Sequence, residues 1–497
     1  MTKTFHINSF AGGMNDWIHP SMVPLGTAVN LSNADISNGK LVPEKGYVKV
    51  DIESLEEYGH YGTRDRNTVK WNERTYWSNN TAYEAPYYGG DAENYLGIPY
   101  PRYSGTDPNV EVIRSSGTGF AGKFKYCVCF VNPNGWEGAP GSLEEYETEV
   151  IRTAGESIGI RVTWSDAKIS YAKVYRTGDH GADFYCIGEI RSSGGTLTDN
   201  ITDEELVMLN PLNTEYNYPP PDGGKYLSEY GGVFFLGVGS LLYFSVQGNP
   251  HAWPTTQFIS MNDTITGIVA EFQGVLVFTR NNVYRITGAD DPATITKSFI
   301  PGNHGCINFR SIACLNNAPI WLSNDGLCLW DGNSINILNY QRVHVDTDIR
   351  YAVSANDKYY LFYKNSALVF DRQNGDVFRK LEYGCNYAWY DDLTDILYLE
   401  IGSNFYRYGK GNELTVKYLS PHIGETELGY KIFRELLISS SDGCVVNVWS
   451  DGDLKVKDLH ITGGRKRIKL PFESMGRYLQ IGIEGKSEIN EYAVIYE

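Results

Sequence analysis

The chain has 497 residues, 42% of them hydrophobic and 13% aromatic, which is enough for two to four domains and excludes a disordered chain. Its 60 acidic and 43 basic side chains give a net charge of -17, which excludes a protein that condenses on nucleic acid through its overall charge. With 52 glycines, 37 tyrosines and few alanine-rich stretches, the composition favours an all-β fold.

Residues 1–104 hold the first expected strands. The opening "MTKTFHINSFAGGMND" has no apolar core of signal-peptide length, and the chain has no run of about 18 apolar residues, so we expect a soluble protein made in the cytoplasm. The stretch "WNERTYWSNNTAYEA" (71–85) predicts a hairpin, and "NGKLVPEKGYVKV" (38–50) precedes it. An early segment of this kind commonly closes a ring of sheets and covers an exposed edge strand.

Residues 105–215 predict an inserted β-sandwich. Apolar residues alternate with polar ones in "FKYCVCFVN" (124–132) and "IGIRVTWS" (158–165), and two more short strands, "AKVYRTG" and "FYCIGEI", follow. The pattern that runs from Trp164 to Tyr175 resembles a fibronectin type III or immunoglobulin-like sandwich. The three successive prolines of "YNYPPPDGG" (216–224) then predict a stiff linker.

Residues 216–412 contain a repeat with a period of about 40 residues, which is typical of the four-stranded blades of a β-propeller. Each copy is an apolar run, a tight polar turn and a second alternating run. The five copies are "GGVFFLGVGSLLYFS" (231–245), "FQGVLVFTRNNVYRITG" (272–288), "NNAPIWLSNDGLCLWDG" (316–332), "NDKYYLFYKNSALVFDRQNG" (356–375) and "LTDILYLEIGSNFYRYGKGN" (393–412). Together with the early hairpin they predict a propeller of about six blades.

The stretch "YFSVQGNPHAWPTTQF" (243–258) combines a strand with two prolines, a histidine and a tryptophan. Pro250 and Pro254 cannot continue strand pairing, so they predict a turn, and Trp253 is placed to cap the core at that corner. A ligand pocket around His251 and Trp253 is the alternative interpretation.

Residues 413–497 lose the repeat and predict a terminal β-sandwich or a β-rich docking region for neighbouring subunits. Its strong positive cluster consists of Arg465, Lys466, Arg467 and Lys469. These four residues are candidates for docking, and a solvated strand face is the alternative.

Catalytic and metal-binding motifs are weak throughout the sequence. The hairpin "SNDGLCLW" (323–330) resembles the Asp-box of sialidases, which is a structural turn. Asp371, Asp391, Glu400 and Arg407 could serve a glycosidase, but no spacing singles out a carboxylate pair. The histidines lack metal-ligand spacing, and the eight cysteines suit free, buried thiols in a reducing compartment. We therefore expect no catalytic residue, no cofactor and no metal.

The order of short motifs in residues 10–340 resembles the tail nozzle, or packaged-DNA stabilisation, proteins of short-tailed bacteriophages. In that family a strand ending in Y-F-S leads to a Pro, a polar residue and Trp-Pro, as in "YFSVQGNPHAWP", and the next repeat ends in T-G before D-P, as in "YRITGADDP". The head of the chain, "FAGGMNDWIHPSMVPLGTAVNLSNADISNGKLVPEKGY", and the stretch "KVYRTGDHGADFYCIGEI" are also similar.

The resemblance implies a structural virion protein without enzymatic activity, assembled in the host cytoplasm. Six copies would form a ring at the end of the tail, below the portal and adaptor rings, that retains packaged double-stranded DNA and conducts it without binding it specifically. Tail fibres or spikes and the host envelope are further implied partners. The alternative function is a carbohydrate-binding or sialidase-like propeller that acts as a receptor-binding tail protein.

Overall fold

The computed structural model describes residues 2–50, 66–80, 86–88, 96–106, 108–288, 294–424, 429–471 and 474–497, and these consist mainly of β-strands and turns. The predicted all-β class is therefore confirmed. The chain divides into two compact units. Unit 1 comprises Met1–Arg64, Asn281–Val283 and Pro301–Glu497, and unit 2 comprises Asp65–Arg280 and Tyr284–Ile300.

The first strands in chain order are β1 (Lys3–Ile7), β2 (Asn30–Ser32), β3 (Ala34–Ser37), β4 (Lys40–Pro43), β5 (Lys45–Val50), β6 (Arg66–Trp71), β7 (Arg74–Asn79) and β8 (Tyr87–Tyr88). Strands β6, β7 and β8 form one small sheet in unit 2. The predicted early hairpin is thus β6–β7, with its turn at Asn72 and Glu73, and residues 81–85 of that prediction lie outside the described residues.

The inserted sandwich of unit 2 consists of β9 (Val110–Ser116), β10 (Gly122–Val131), β11 (Thr148–Arg152), β12 (Glu156–Val162), β13 (Tyr171–Thr177), β14 (Phe184–Ile190) and β15 (Gly195–Asp199). They form a four-stranded sheet, β11-β10-β13-β14, and a three-stranded sheet, β15-β12-β9. Side chains of both sheets, such as Tyr126, Val128, Ile158 and Ile160, form one buried core. This confirms the predicted sandwich. A short helix, α1 (Asp203–Leu206), follows it and begins with a capping box at Thr202.

Five consecutive antiparallel groups of four strands follow, and the fourth group is part of a larger sheet. Their strands are β16 (Lys225–Tyr230), β17 (Val233–Val238), β18 (Leu241–Phe244), β19 (Phe258–Ser260), β20 (Ile265–Glu271), β21 (Gly274–Thr279), β22 (Val283–Thr287), β23 (Thr296–Ile300), β24 (Ala313–Leu315), β25 (Ala318–Ser323), β26 (Gly326–Trp330), β27 (Ile335–Ile337), β28 (Tyr351–Ala355), β29 (Lys358–Phe362), β30 (Ala367–Asp371), β31 (Val377–Leu381), β32 (Tyr387–Asp391), β33 (Ile396–Ile401) and β34 (Asn404–Glu413). The fifth sheet takes its fourth strand, β5, from the N-terminal segment.

The repeat predicted from the sequence is the hairpin between the second and third strands of each sheet. In unit 2, β16 lies against β6 and β20, and in unit 1, β28 lies against β24 and β32, so first strands neighbour first strands as in propeller blades. Asparagine and aspartate set the sharp turns. Asn316 and Asn317, between β24 and β25, have φ values of 52° and 63°, the left-handed region that a two-residue hairpin turn needs. The described residues thus contain five four-stranded repeats of this kind and the three-stranded sheet β6–β8, whose first strand neighbours β16.

The C-terminal strands are β35 (Val416–Leu419), β36 (Lys431–Ser440), β37 (Cys444–Ser450), β38 (Asp453–Ile461), β39 (Gly464–Lys469), β40 (Met475–Gly476), β41 (Leu479–Gly485) and β42 (Ile489–Tyr496). One sheet has the order β3-β4-β42-β36-β39, with β1 on β42 and β40 on β36. A nine-stranded sheet has the order β28-β29-β30-β31-β2-β35-β41-β37-β38.

Strands from both ends of the chain therefore share sheets in unit 1. Lys3 pairs with Tyr496, Leu41 pairs with Ile489, and β5 pairs along β34. Buried residues of the two sheets, among them Leu31, Leu436, Val446, Ile481 and Val494, belong to one hydrophobic core. The four sequence segments, with boundaries at 104, 215 and 412, stay predictions. The early segment does cover an edge strand, because β5 pairs with β34.

Candidate functional site

Trp253 lies in the turn between β18 and β19. Its side chain is 2% exposed. It packs in a hydrophobic cluster with Tyr76, Leu96, Leu227, Phe234 and Leu236. The indole Nε1 donates a 2.8 Å hydrogen bond to the Pro250 carbonyl, and the main-chain N–H of Trp253 donates a 2.8 Å bond to the Tyr218 carbonyl. Pro250 and Pro254 are buried on either side. These contacts fit the interpretation of the stretch as a structural corner.

His251, the other member of the predicted pocket, is also buried. Its Nδ1 accepts a 3.1 Å hydrogen bond from the Gly97 N–H, and its ring centroid lies 4.6 Å from that of Trp136. Burial, together with the charges of Arg74 and Lys168, lowers the pKa of His251 to about 3. The imidazole is therefore neutral at neutral pH and serves as a packed, hydrogen-bonded ring.

The hairpin that resembles an Asp-box is the turn between β25 and β26. The Asp325 N–H donates to Ser323 Oγ at 3.1 Å, and Ser323 Oγ donates to the Gly326 carbonyl at 3.0 Å. A Cβ on Gly326 would come within 2.3 Å of Asn339 Oδ1, so glycine is required there. The residues of this motif hold the turn together.

The candidate carboxylates of a glycosidase have separate structural partners. Asp371 is fully buried and accepts hydrogen bonds from Arg379 and Asn374. Asp391 accepts from the Leu393 N–H and from Thr394 Oγ1, which closes the turn after β32. Glu400 lies partly exposed on β33, and the Arg407 guanidinium lies 5.9 Å from the centre of the Tyr398 ring.

A buried ion cluster in unit 1 was not anticipated from the sequence. It consists of Asp35 on β3, Glu44 after β4, Lys358 on β29, Asp371 on β30 and Arg379 on β31, and we call it the Arg379 cluster. Arg379 Nη1 lies 3.0 Å from Asp371 Oδ2, and Arg379 Nη2 lies 2.8 Å from Glu44 Oε1. Lys358 Nζ lies 2.8 Å from Asp35 Oδ2. The cluster joins the N-terminal segment to the fourth repeat sheet.

The environment of the cluster favours the charged forms of Asp35 and Arg379. Burial acts to raise the pKa of Asp35, but the neighbouring Arg379 and Lys358 outweigh it and leave that pKa lowered. Burial acts to lower the pKa of Arg379, whereas Glu44 and Asp35 raise it well above the ordinary value. Tyr408 donates a short hydrogen bond to Glu44, and burial together with the Glu44 carboxylate raises the pKa of this phenol. The cations of the cluster, Arg379 and Lys358, therefore lie within ion-pair distance of its carboxylates.

A cavity of about 390 Å³ adjoins the cluster in unit 1. Its walls include Asp35, Glu44, Lys358, Tyr360 and Tyr408 from the cluster side and Lys45, Asp395 and Lys410 on the other. Lys358 and Arg379 already hold the carboxylates of the wall, so the arrangement suits a cross-link between strands better than acid–base chemistry.

The candidate docking residues lie on the edge strand β39. Arg465, Lys466, Arg467 and Lys469 are exposed. Arg465 Nε lies 3.3 Å from Glu491 Oε1, and Arg467 Nε donates a 2.6 Å hydrogen bond to Glu435. β39 pairs with β36 on one side and ends the sheet on the other. A docking role for this basic strand stays a prediction.

Three further features are the state of the cysteines, the grouping of metal-binding side chains and the length of the helices. All eight cysteines are free thiols; six are buried, and Cys186 and Cys314 are partly exposed. Within the described ranges, no group of three or more His, Cys, Asp or Glu residues is arranged to hold a metal ion. The helical part of the described chain includes no segment long and apolar enough to cross a membrane.

Comparison with known proteins found no matching family model and no matching curated protein. Among solved structures, the WD40 domain of Pan2 from Neurospora crassa is similar with 9% identity and a TM-score of 0.28, over 52% of this chain and 84% of that one. The extracellular domain of a putative hybrid two-component system from B. thetaiotaomicron has 11% identity and a TM-score of 0.27, over 70% of this chain and 47% of that one.

A third similar structure is the extracellular domain of a putative one-component system from B. thetaiotaomicron, with 12% identity and a TM-score of 0.29. It matches over 87% of this chain and 56% of its own length, so the chain spans about half the length of the two B. thetaiotaomicron structures. The all-β fold described above rests on the strands and sheets of the chain itself.

Proposed function

We propose that the chain is a structural virion protein, a subunit of the distal tail nozzle of a short-tailed bacteriophage. In this proposal six copies form a ring that retains packaged DNA and later conducts it out of the particle. The ring docks on an adaptor ring above it. The proposed function is mechanical and requires no catalytic residue.

The observation that carries the proposal is the way in which unit 1 ties both chain ends into common sheets. β1, β3 and β4 belong to the sheet of β42, and β5 completes the sheet of β34. A force applied to either end is then opposed by several rows of interstrand hydrogen bonds, which must break together. A subunit that withstands the pressure of packaged DNA needs this property.

The positions of the sequence motifs also support the proposal. Tyr243 and Phe244 end β18, Ser245 follows directly, and the prolines and Trp253 form the buried corner after it. The T-G of the next repeat stands at the end of β22. The motifs that resemble the nozzle family therefore occur at strand ends, where they set the geometry of successive sheets.

The charge of the chain supports a conduit. A subunit with a net charge of -17 repels phosphate groups, so DNA passes along an acidic lumen without arrest. The basic strand β39 would then serve outward contacts, either with a neighbouring subunit or with the adaptor ring. A heterologous contact that closes into a ring gives a nozzle, whereas one that does not close gives a filament.

The test is made on the phage particle. Particles that lack this chain should package DNA and then lose it, so that their DNA content falls after purification while the heads remain intact. Supplying the chain from a plasmid should restore full particles. A reconstruction of intact particles should show six copies around the tail axis with acidic side chains toward the lumen.

Two results would contradict the proposal. One is a particle that keeps its DNA without the chain. The other is a reconstruction with three copies on a peripheral fibre, which would favour a receptor-binding tail protein. A monomeric state of the purified chain does not contradict the proposal, because ring assembly can depend on the adaptor ring as a template.

A further inference from the structure

A cleft of about 270 Å³ in unit 2 combines aromatic rings with polar side chains. Its walls are formed by Trp71, Asn72, Arg74, Tyr76, Asn134 and Trp136. The first four belong to the β6–β7 hairpin, and the last two follow β10 in the sandwich insert. None of these residues belongs to the Arg379 cluster.

The two indole rings at the cleft are partly exposed and are held from behind. Trp71 lies edge-on to Phe234, with ring centroids 5.7 Å apart and an interplanar angle of 86°. Trp136 is backed by the neutral ring of His251, at 4.6 Å. Rings fixed in this way offer apolar area at little further cost in conformational entropy, which favours a flat ligand. The C–H face of a pyranose ring is such a surface.

The polar groups of the cleft suit hydroxyl and carboxylate groups. Arg74 Nη2 donates a 2.7 Å hydrogen bond to Asn134 Oδ1, and the Arg74 guanidinium lies 5.6 Å from the centre of the Trp136 ring. That bond fixes the guanidinium beside the indole, and a guanidinium carries five N–H donors in all. Asn72 and Asn134 are exposed and present amides that both donate and accept.

The charged residue in the wall of the cleft, Arg74, has the sign opposite to the net charge of the chain. Arg74 lies in the wall, and Lys168 is close enough, together with Arg74, to disfavour a proton on His251 behind the indole. Glu73, which shares the hairpin turn, is exposed and is not part of the wall. A cationic side chain in the wall favours an anionic ligand over a neutral one.

We propose that this cleft binds an acidic pyranose, a sugar ring with a carboxylate, as a unit of a polysaccharide. The indoles of Trp71 and Trp136 contact the faces of the sugar, and Arg74 binds the carboxylate. The site goes beyond the nozzle function and does not depend on it, because the particle experiment above and a binding experiment on the purified chain can succeed or fail separately.

The test uses the purified full chain and two probes of equal length, trigalacturonate and the neutral maltotriose, in titration calorimetry and saturation-transfer NMR. Trigalacturonate should bind with a Kd of about 1 mM or lower and at least about ten-fold more tightly than maltotriose. Trp136→Ala should weaken binding of trigalacturonate by about ten-fold or more, and Arg74→Gln should abolish the preference for the acidic sugar.

Two further variants separate binding from folding. Asn134→Ala changes an exposed side chain, so it should leave the fold intact and weaken binding by releasing the Arg74 guanidinium. Trp17→Ala removes a half-exposed indole in unit 1 and should leave binding unchanged. Absence of binding at about 10 mM, equal affinity for the two probes, or unchanged affinity in Trp136→Ala and Asn134→Ala would each overturn the assignment.

Discussion

Two tryptophans of this chain show how the same side chain serves different purposes. Trp253 is 2% exposed and packs against rings and aliphatic chains of unit 2. Trp17 is 48% exposed in unit 1, where its indole stacks on His344 with ring centroids 4.6 Å apart. The buried indole contributes to stability through the full area that it removes from water, and the exposed one contributes a small part of that.

We predict that Trp253→Ala lowers the free energy of unfolding of unit 2 by about 3 to 5 kcal/mol, because it leaves a large cavity and removes the bond to the Pro250 carbonyl. Urea unfolding followed by far-UV circular dichroism measures the change. Trp17→Ala is the matched control and should change stability by less than about 1 kcal/mol. Equal effects of the two variants would contradict the assignment of Trp253 as a core residue of the corner.

At the scale of the element, the Arg379 cluster connects strands that are far apart in sequence. β31 carries Arg379, and the carboxylates that it holds come from β30 and from the segment around β3 and β4. In the ion pair between Arg379 and Glu44, the arginine side chain is fully buried and the glutamate side chain is nearly so. Removing one partner of a buried ion pair leaves an uncompensated charge, which costs more than the pair itself contributes.

We therefore predict that Arg379→Gln lowers the free energy of unfolding by about 3 to 5 kcal/mol. Arg467→Gln is the matched control, because it also breaks a contact with a glutamate, Glu435, but its side chain is 65% exposed. Arg467→Gln should lower the free energy of unfolding by less than about 1 kcal/mol. Chemical unfolding measures both, and a loss in the control as large as that in Arg379→Gln would refute the structural role of the cluster.

The repeated hairpins could be predicted from the sequence because their signals are local. Alternating apolar residues and turn glycines with positive φ, such as Gly239 between β17 and β18 and Gly402 between β33 and β34, fix these hairpins without information from distant residues. The first and fourth strands of each sheet carry weaker patterns. The sequence predicts β5 only as part of an early segment that covers an edge strand. Its partner β34 could not be identified, because the two strands lie some 350 residues apart in the chain and local sequence patterns do not determine such distant pairings.

The Arg379 cluster was missed for the same physical reason. Asp371 was noted as an acidic residue, but its counter-ion lies on the next strand in "VFRKL" and the other carboxylates lie near the N-terminus. A charged residue inside an apolar strand is a signal of a buried partner, since an isolated buried charge is too costly. The Arg379 position carried this signal, whereas the identity of its partners depends on the tertiary fold.

At the scale of the whole molecule, stability is coupled to pH through carboxylates of the N-terminal segment. Burial acts to raise the pKa of Asp16, but Lys380 and His344 outweigh it, and the pKa is lowered in the folded chain. Asp35 behaves in the same way beside Arg379 and Lys358. A carboxyl whose pKa is lower in the folded state than in the unfolded one binds fewer protons when folded.

The sign of the pH effect follows from these two directions. The stabilisation is fully present above the unfolded pKa of about 4 and is lost as the pH falls through the lower folded pKa. We predict that the free energy of unfolding is nearly constant between about pH 7 and pH 5 and decreases steeply below about pH 4.

Asp35→Asn and Asp16→Asn should each be less stable than the natural chain at pH 7 and should lose less stability on acidification, because the amide has no proton to gain. Asp453→Asn is the control, since its side chain is 80% exposed and it should follow the natural chain at every pH. Thermal unfolding in buffers from about pH 7 to pH 3 measures all four proteins, and parallel curves for Asp35→Asn and Asp453→Asn would show that the ion pairs of the N-terminal segment do not hold unit 1 together in the way proposed.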